Sequence, residues 1–127
     1  MAGARAKILI VDDSTLVREA VALMLEERGY AVVTMESVFS FAQTLNQEKP
    51  DLVLIDVNMP AMNGDKLIQI AQKHHAATCP IVLFSDKDPR ELERLARSCG
   101  AAGFIQKTGD GDVLVRSIAV HLEGKKK

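Results

Sequence analysis

Pro50-Asp-Leu-Val-Leu-Ile-Asp56 decides the fold, because its four consecutive apolar residues, Leu52 to Ile55, open after a proline and an acid and stop at a carboxylate. Four residues are too few for a helix. A run that is apolar at every position, rather than at alternate ones, predicts a strand covered on both faces, as in a parallel sheet. Ile8-Leu-Ile-Val11 and Ile81-Val-Leu-Phe84 repeat the pattern. The weaker runs Tyr30 to Met35 and Ala102 to Gln106 are less apolar and suit the two edges.

Helical periodicity fills the intervals. Val38, Phe41, Ala42 and Leu45 fall at i, i+3, i+4 and i+7, as do Leu92, Leu95, Ala96 and Cys99, and Leu67, Ile70 and Ala71 repeat most of the same stripe. Ser37 is expected to cap the second helix, and Asp88, Pro89 and Glu91 read as cap, first helical residue and third position of a capping box. Gly29 and Gly100 suit the left-handed turns that end helices. The first helix, about Leu16 to Arg28, is apolar over a wider arc (Leu16, Val17, Ala20, Val21, Leu23, Met24, Leu25), which predicts either deep burial or a partner face. Strict alternation of strand and helix predicts an α/β fold, a doubly wound five-stranded parallel sheet. Right-handed crossovers with the three most apolar strands in the middle favour the flavodoxin-like order 2-1-3-4-5, a (βα)5 arrangement.

The 127 residues fit one domain, with its core from about 7 to 122 and a basic tail, Gly124 to Lys127, expected to fray in solvent. Sixteen basic against 17 acidic residues leave a net charge of −1, which offers no bulk attraction to nucleic acid or an anionic membrane. No run approaches the length of a spanning helix and MAGARAK lacks a signal-peptide core, so a soluble cytoplasmic protein is expected. Cys79 and Cys99 form no CxxC pair, and His74, His75 and His121 lack metal-ligand spacing.

In open α/β sheets ligands bind beyond the carboxyl ends of the strands. The first strand ends in Asp12-Asp13, the third in Asp56, the fourth in Ser85 and the fifth in Lys107. Three carboxylates brought together repel one another unless a cation is bound or one acid stays protonated, and an all-oxygen donor set suits Mg²⁺. Lys107 and Ser85 match a tetrahedral anion. That inventory predicts phosphoryl transfer to a carboxylate nucleophile, giving an acyl phosphate.

With these residues in place, the sequence resembles the receiver domain of two-component response regulators, of the stand-alone, chemotaxis-regulator-like kind. The matching stretches are Ile8-Leu-Ile-Val-Asp-Asp-Ser14, Pro50 to Asp56, Asp56-Val-Asn-Met-Pro-Ala-Met-Asn-Gly64, Pro80-Ile-Val-Leu-Phe-Ser85 and Gly100-Ala-Ala-Gly-Phe-Ile-Gln-Lys107. The resemblance implies that Asp56 accepts a phosphoryl group from a sensor histidine kinase or a phosphotransfer protein. It also implies that Asp12, Asp13, Asp56 and the backbone carbonyl of Asn58 hold Mg²⁺, that Ser85 and Lys107 bind the phosphoryl oxygens, and that Phe104 is an aromatic switch residue. The output is then a change in affinity for a downstream protein through the helix after the fourth strand, the fifth strand and the last helix, with no turnover of an external substrate.

Three positions depart from the family pattern, the mildest being Ser85, which stands where threonine is commoner and keeps the hydroxyl. Thr108 stands where proline usually follows the lysine, and a cis bond before threonine costs roughly 2.5–4 kcal/mol, so a trans bond is expected. Asp86 follows Ser85 where a small residue is usual, and its charge and bulk are expected to modulate access and slow exchange at Asp56, unless it faces solvent or joins the turn capping at Asp88. Two other functions compete. A phosphorylation-independent pseudo-receiver scaffold does not require all five polar residues. A phosphatase of the haloacid-dehalogenase type expects a DxD strand end rather than adjacent Asp12-Asp13. Neither GxGxxG nor GxxxxGK[ST] is present for nucleotide binding.

Overall fold

Five strands, β1 (Lys7–Val11), β2 (Ala31–Met35), β3 (Leu52–Asp56), β4 (Ile81–Ser85) and β5 (Gly103–Gln106), form one parallel sheet in the order β2-β1-β3-β4-β5. The computed structural model describes residues 6–36, 40–57 and 79–126. Its helices among these are α1 (Thr15–Glu27), α2 (Phe41–Glu48), α3 (Pro89–Cys99) and α4 (Gly111–Lys126). The predicted class and strand order are those observed. The helix expected around Leu67, Ile70 and Ala71, with His74 and His75, lies outside the described residues.

The continuous apolar runs are buried on both faces because successive side chains point to opposite sides of a strand. Ile8, Ile10, Leu52, Leu54, Val82 and Ile105 pack with Val21 and Leu25 of α1 and Leu114 and Ile118 of α4. Leu9, Val11, Val53, Ile55 and Leu83 pack on the other side with Phe41 and Leu45 of α2 and Leu92 and Ala96 of α3. The edge strands β2 and β5 are only half-buried, as their weaker runs predicted.

The helix ends follow their chemistry, with three corrections. Asp88 caps α3 by accepting from the Arg90 amide at 2.8 Å, Pro89 takes the first turn, and Gly100 closes the helix at φ 81°. Gly29 likewise takes φ 93° after α1. The first correction concerns Ser37, which lies outside the described residues: α2 begins at Phe41 and Ser40 occupies the cap at φ 63° without a side-chain bond. The second concerns Glu91, whose carboxylate lies 3.6 Å from the Lys87 ammonium, an i,i+4 pairing available to an exposed acid. The third is the basic tail, because the backbone of α4 stays helical through Lys126. The described peptide bonds, including that between Lys107 and Thr108, contain no cis bond. Without proline, the Thr108 hydroxyl accepts from the Asp110 amide at 3.2 Å, and Asp110 Oδ1 accepts from Asp112 N and Val113 N to start α4.

The wide apolar arc of α1 divides. Val21 and Leu25 are buried, whereas Leu16 and Leu23 are 79% and 60% exposed on the outer surface.

Candidate functional site

Strand alternation decides which groups meet at the carboxyl rim. Asp12 continues the side of β1 that carries Ile8 and Ile10, Asp56 that of Leu52 and Leu54, and Lys107 that of Ile105, all toward α1 and α4. The carboxylate oxygens of Asp12, Asp13 and Asp56 can lie within 4.8 Å of one another. Lys107 Nζ lies 2.9 Å from Asp12 Oδ2 and 3.7 Å from Asp56 Oδ2. Asp12 and Asp56 are buried, while Asp13 is exposed.

A buried carboxylate is tolerated only when its charge is answered, and Asp12 has two partners. Its Oδ1 accepts from the Ser14 amide at 2.9 Å, and its Oδ2 takes the lysine. Its backbone carbonyl accepts from Arg18 Nη1 at 2.6 Å, and its amide donates to the Met35 carbonyl at 3.0 Å. Ser14 also caps α1 by accepting from Val17 N at 3.2 Å, so one short loop aims the acids and starts the helix. Lys107 is held a third way, its ammonium 5.2 Å from the centroid of the Phe84 ring.

Three oxygen donors, one of them exposed to water, fit a hard divalent cation such as Mg²⁺. Lys107 already neutralises part of that charge, so a cation held here would share Asp12 with the ammonium.

Ser85 and Phe104 belong to the other side of the sheet. Ser85 continues the face of Ile81 and Leu83, is fully buried, and accepts from the Lys87 amide at 3.1 Å. Its carbonyl accepts from the Lys107 amide at 2.7 Å, which ties the ends of β4 and β5 together. Phe104, beside Leu83 in the sheet register, is half-buried against the α2 and α3 cluster. Asp86 is exposed, and Asn58 lies outside the described residues.

Three contributors were not singled out from sequence. Arg18 stands in the second turn after an acidic strand end, where a basic side chain can reach back to the loop. Phe84 read as one more strand apolar. Gln106 is a polar residue two places beyond Phe104, so alternation places it on the same strand face, but its partner is brought near only by folding. Its Nε2 donates to the Lys87 carbonyl at 3.0 Å.

Residues 8–119 match the model of the response regulator receiver domain. Protein PilH of Pseudomonas aeruginosa is 32% identical over 120 residues, covering 94% of this chain and 99% of that protein. The transcriptional regulatory protein PdtaR of Mycobacterium tuberculosis is 38% identical over 103 residues, covering 80% of this chain and 49% of PdtaR. Among solved structures, the chemotaxis response regulator CheY4 of Vibrio cholerae superposes with a TM-score of 0.81 at 26% identity, covering 91% of this chain and 98% of that one. With the strand order and the acidic rim already in place, these matches show that the chain belongs to the response regulator receiver domain family of two-component signalling.

Proposed function

We propose that this chain is a phosphorylation-controlled switch whose phospho-acceptor is Asp56. Receiver domains are signalling modules that take phosphoryl groups from histidine kinases and act on downstream partners. The observation that carries the reading for this chain is Asp56 itself, a buried carboxylate at a strand end with an ammonium 3.7 Å away and two further carboxylates beside it. A carboxylate oxygen of Asp56 attacks the donor's phosphorus. The new P–O bond forms as the P–N bond to the donor's imidazole breaks, and that bonding pair leaves with the imidazole. Asp12, Asp13 and the Asn58 carbonyl are the groups that would hold Mg²⁺ with Asp56. When bound, the metal supplies positive charge to the phosphoryl oxygens. Lys107 adds a second positive charge, and the Ser85 hydroxyl donates to a phosphoryl oxygen.

The switch follows from the added charge and acceptors. Lys107 transfers part of its grip from Asp12 to the phosphoryl group, Ser85 is drawn toward it, and Phe104 turns into the space that the β4–α3 loop vacates. The surface built by α3, β5 and α4 then distinguishes the two states for a downstream protein. On the other side, Leu16 and Leu23 of α1 are exposed apolar residues, a surface suited to contact with a protein partner. In this reading the chain is a single cytoplasmic module that binds no nucleic acid, inserts in no membrane and turns over no external substrate.

Incubation with acetyl phosphate, with and without Mg²⁺, followed by intact mass measurement tests the reading. The wild type gains one phosphoryl group only with Mg²⁺, and Asp56→Asn gains none. A wild type that stays unmodified favours the phosphorylation-independent scaffold.

A further inference from the structure

Gln106 has no part in the chemistry above, yet it reaches across from the end of β5 to the loop that carries Ser85. It lies beside Ser85 in the sheet register, and its amide meets Lys87, 19 residues away in sequence, through a hydrogen bond of 3.0 Å from Nε2 to the backbone carbonyl. That carbonyl can only accept, so the amide nitrogen faces it. The backbone N–H of the same Lys87 donates to Ser85 Oγ at 3.1 Å, and its ammonium lies 3.6 Å from Glu91 Oε2. Lys87 is therefore gripped at its amide, its carbonyl and its side chain, by β4, β5 and α3 in turn.

A serine hydroxyl has one hydrogen and two lone pairs. An N–H directed at one lone pair makes the oxygen an acceptor on that side and leaves its hydrogen for another acceptor. Phosphoryl oxygens only accept, so a serine that is to bind them must be a donor. We propose that Gln106 is a positioning residue for Ser85: by clamping the Lys87 carbonyl it keeps the Lys87 N–H on Ser85 Oγ, which orients the hydroxyl as a donor to the phosphoryl group of Asp56. The inference rests on the Asp56 reading and deepens it. Gln106 also shares its strand face with Phe104, so the clamp sits between the phosphoryl-binding serine and the aromatic that moves with it.

Two measurements on wild type, Gln106→Leu, Gln106→Glu, Ser85→Ala and the Gln106→Leu/Ser85→Ala double variant test it. Leucine keeps bulk without a donor, and glutamate keeps shape but its carboxylate cannot donate. In the unmodified protein, hydrogen exchange at the Lys87 amide is expected to be about tenfold faster in both Gln106 variants; unchanged exchange overturns the clamp. With acetyl phosphate and Mg²⁺, Gln106→Leu is expected to slow labelling of Asp56 by about fivefold, a typical single hydrogen-bond effect. The double variant is expected to be no slower than Ser85→Ala alone. Effects that multiply in the double variant overturn the proposal, because a merely structural glutamine would act independently of the serine. Failure of the wild type to label would instead sink the Asp56 reading, and Lys87 exchange would by itself decide the clamp.

Discussion

The carboxyl rim has two sides built on different physical terms. Toward α1 and α4, Asp12, Asp56 and Lys107 form a compact set of charges, with the 1% exposed Asp12 carboxylate held by a backbone amide and an ammonium. Toward α2 and α3, Ser85, Phe104 and Gln106 are neutral; Ser85 and Gln106 meet the Lys87 peptide groups through neutral hydrogen bonds, and Phe104 is half-buried. The charged side is fixed because a buried charge without partners costs several kcal/mol. The neutral side can rearrange at about 1 kcal/mol per hydrogen bond. In the proposed function, the first accepts the phosphoryl group and the second responds to it, and alternation along each strand keeps the two apart except at the strand ends.

The largest effect is expected from breaking the charged side. Lys107→Met leaves the buried Asp12 and Asp56 carboxylates without this ammonium. Removing one partner of a buried pair costs about 3–5 kcal/mol. With Lys107 22% exposed and water able to reach it, about 1–3 kcal/mol is expected in Mg²⁺-free urea unfolding. If Mg²⁺ and the ammonium compete for Asp12 as the proposed function requires, added Mg²⁺ should restore more stability to the variant than it gives the wild type. Equal Mg²⁺ responses would show that they do not.

A smaller change tests the neutral side. Asp86 is exposed next to Ser85, so its charge acts through water. Asp86→Ala should raise the rates of both labelling and loss of the phosphoryl group by about twofold, from a screened interaction of a few tenths of a kcal/mol. Unaltered rates in both directions would mean that Asp86 only faces solvent.

The smallest effect sharpens the comparison by lying outside both sides. Arg28 Nη2 bonds Asp112 Oδ1 at 2.8 Å, and this hydrogen bond, with the Coulomb attraction of Arg28, holds the Asp112 carboxyl below its ordinary value. A carboxyl whose folded pKa is depressed stabilises the fold above its unfolded pKa, near about 3.9, and that contribution fades as pH falls through the folded pKa. The stability gap between wild type and Asp112→Asn should therefore narrow between pH 6 and pH 3, with labelling of Asp56 at neutral pH unchanged.

The charged side was legible in sequence for a physical reason. Asp12, Asp13, Asp56 and Lys107 end strands whose apolar runs announce themselves, so their convergence follows from topology. Gln106 and Phe84 were missed because their roles depend on which face of a strand they occupy and on a neighbour brought near only by folding. Arg18 was missed because its contact is with a backbone carbonyl, which no side-chain pattern marks. The α1 arc was read as either deep burial or a partner face, and the structure divides it into the buried Val21 and Leu25 and the exposed Leu16 and Leu23. The expected fray at Gly124 gave way to a helical backbone through Lys126, since nothing in a glycine-lysine end forbids a further turn on an established helix.

The division of the rim is tested most directly by amide NMR of the protein with Mg²⁺ before and after addition of beryllofluoride, a stable mimic of the phosphoryl group. The account predicts shifts at residues 12–14, 56–57 and 107 where the mimic binds, and comparably large shifts through 84–88 and 103–106, where the response is built. Shifts confined to the first set, with the Ser85 to Asp88 loop and Phe104 unmoved, would contradict it.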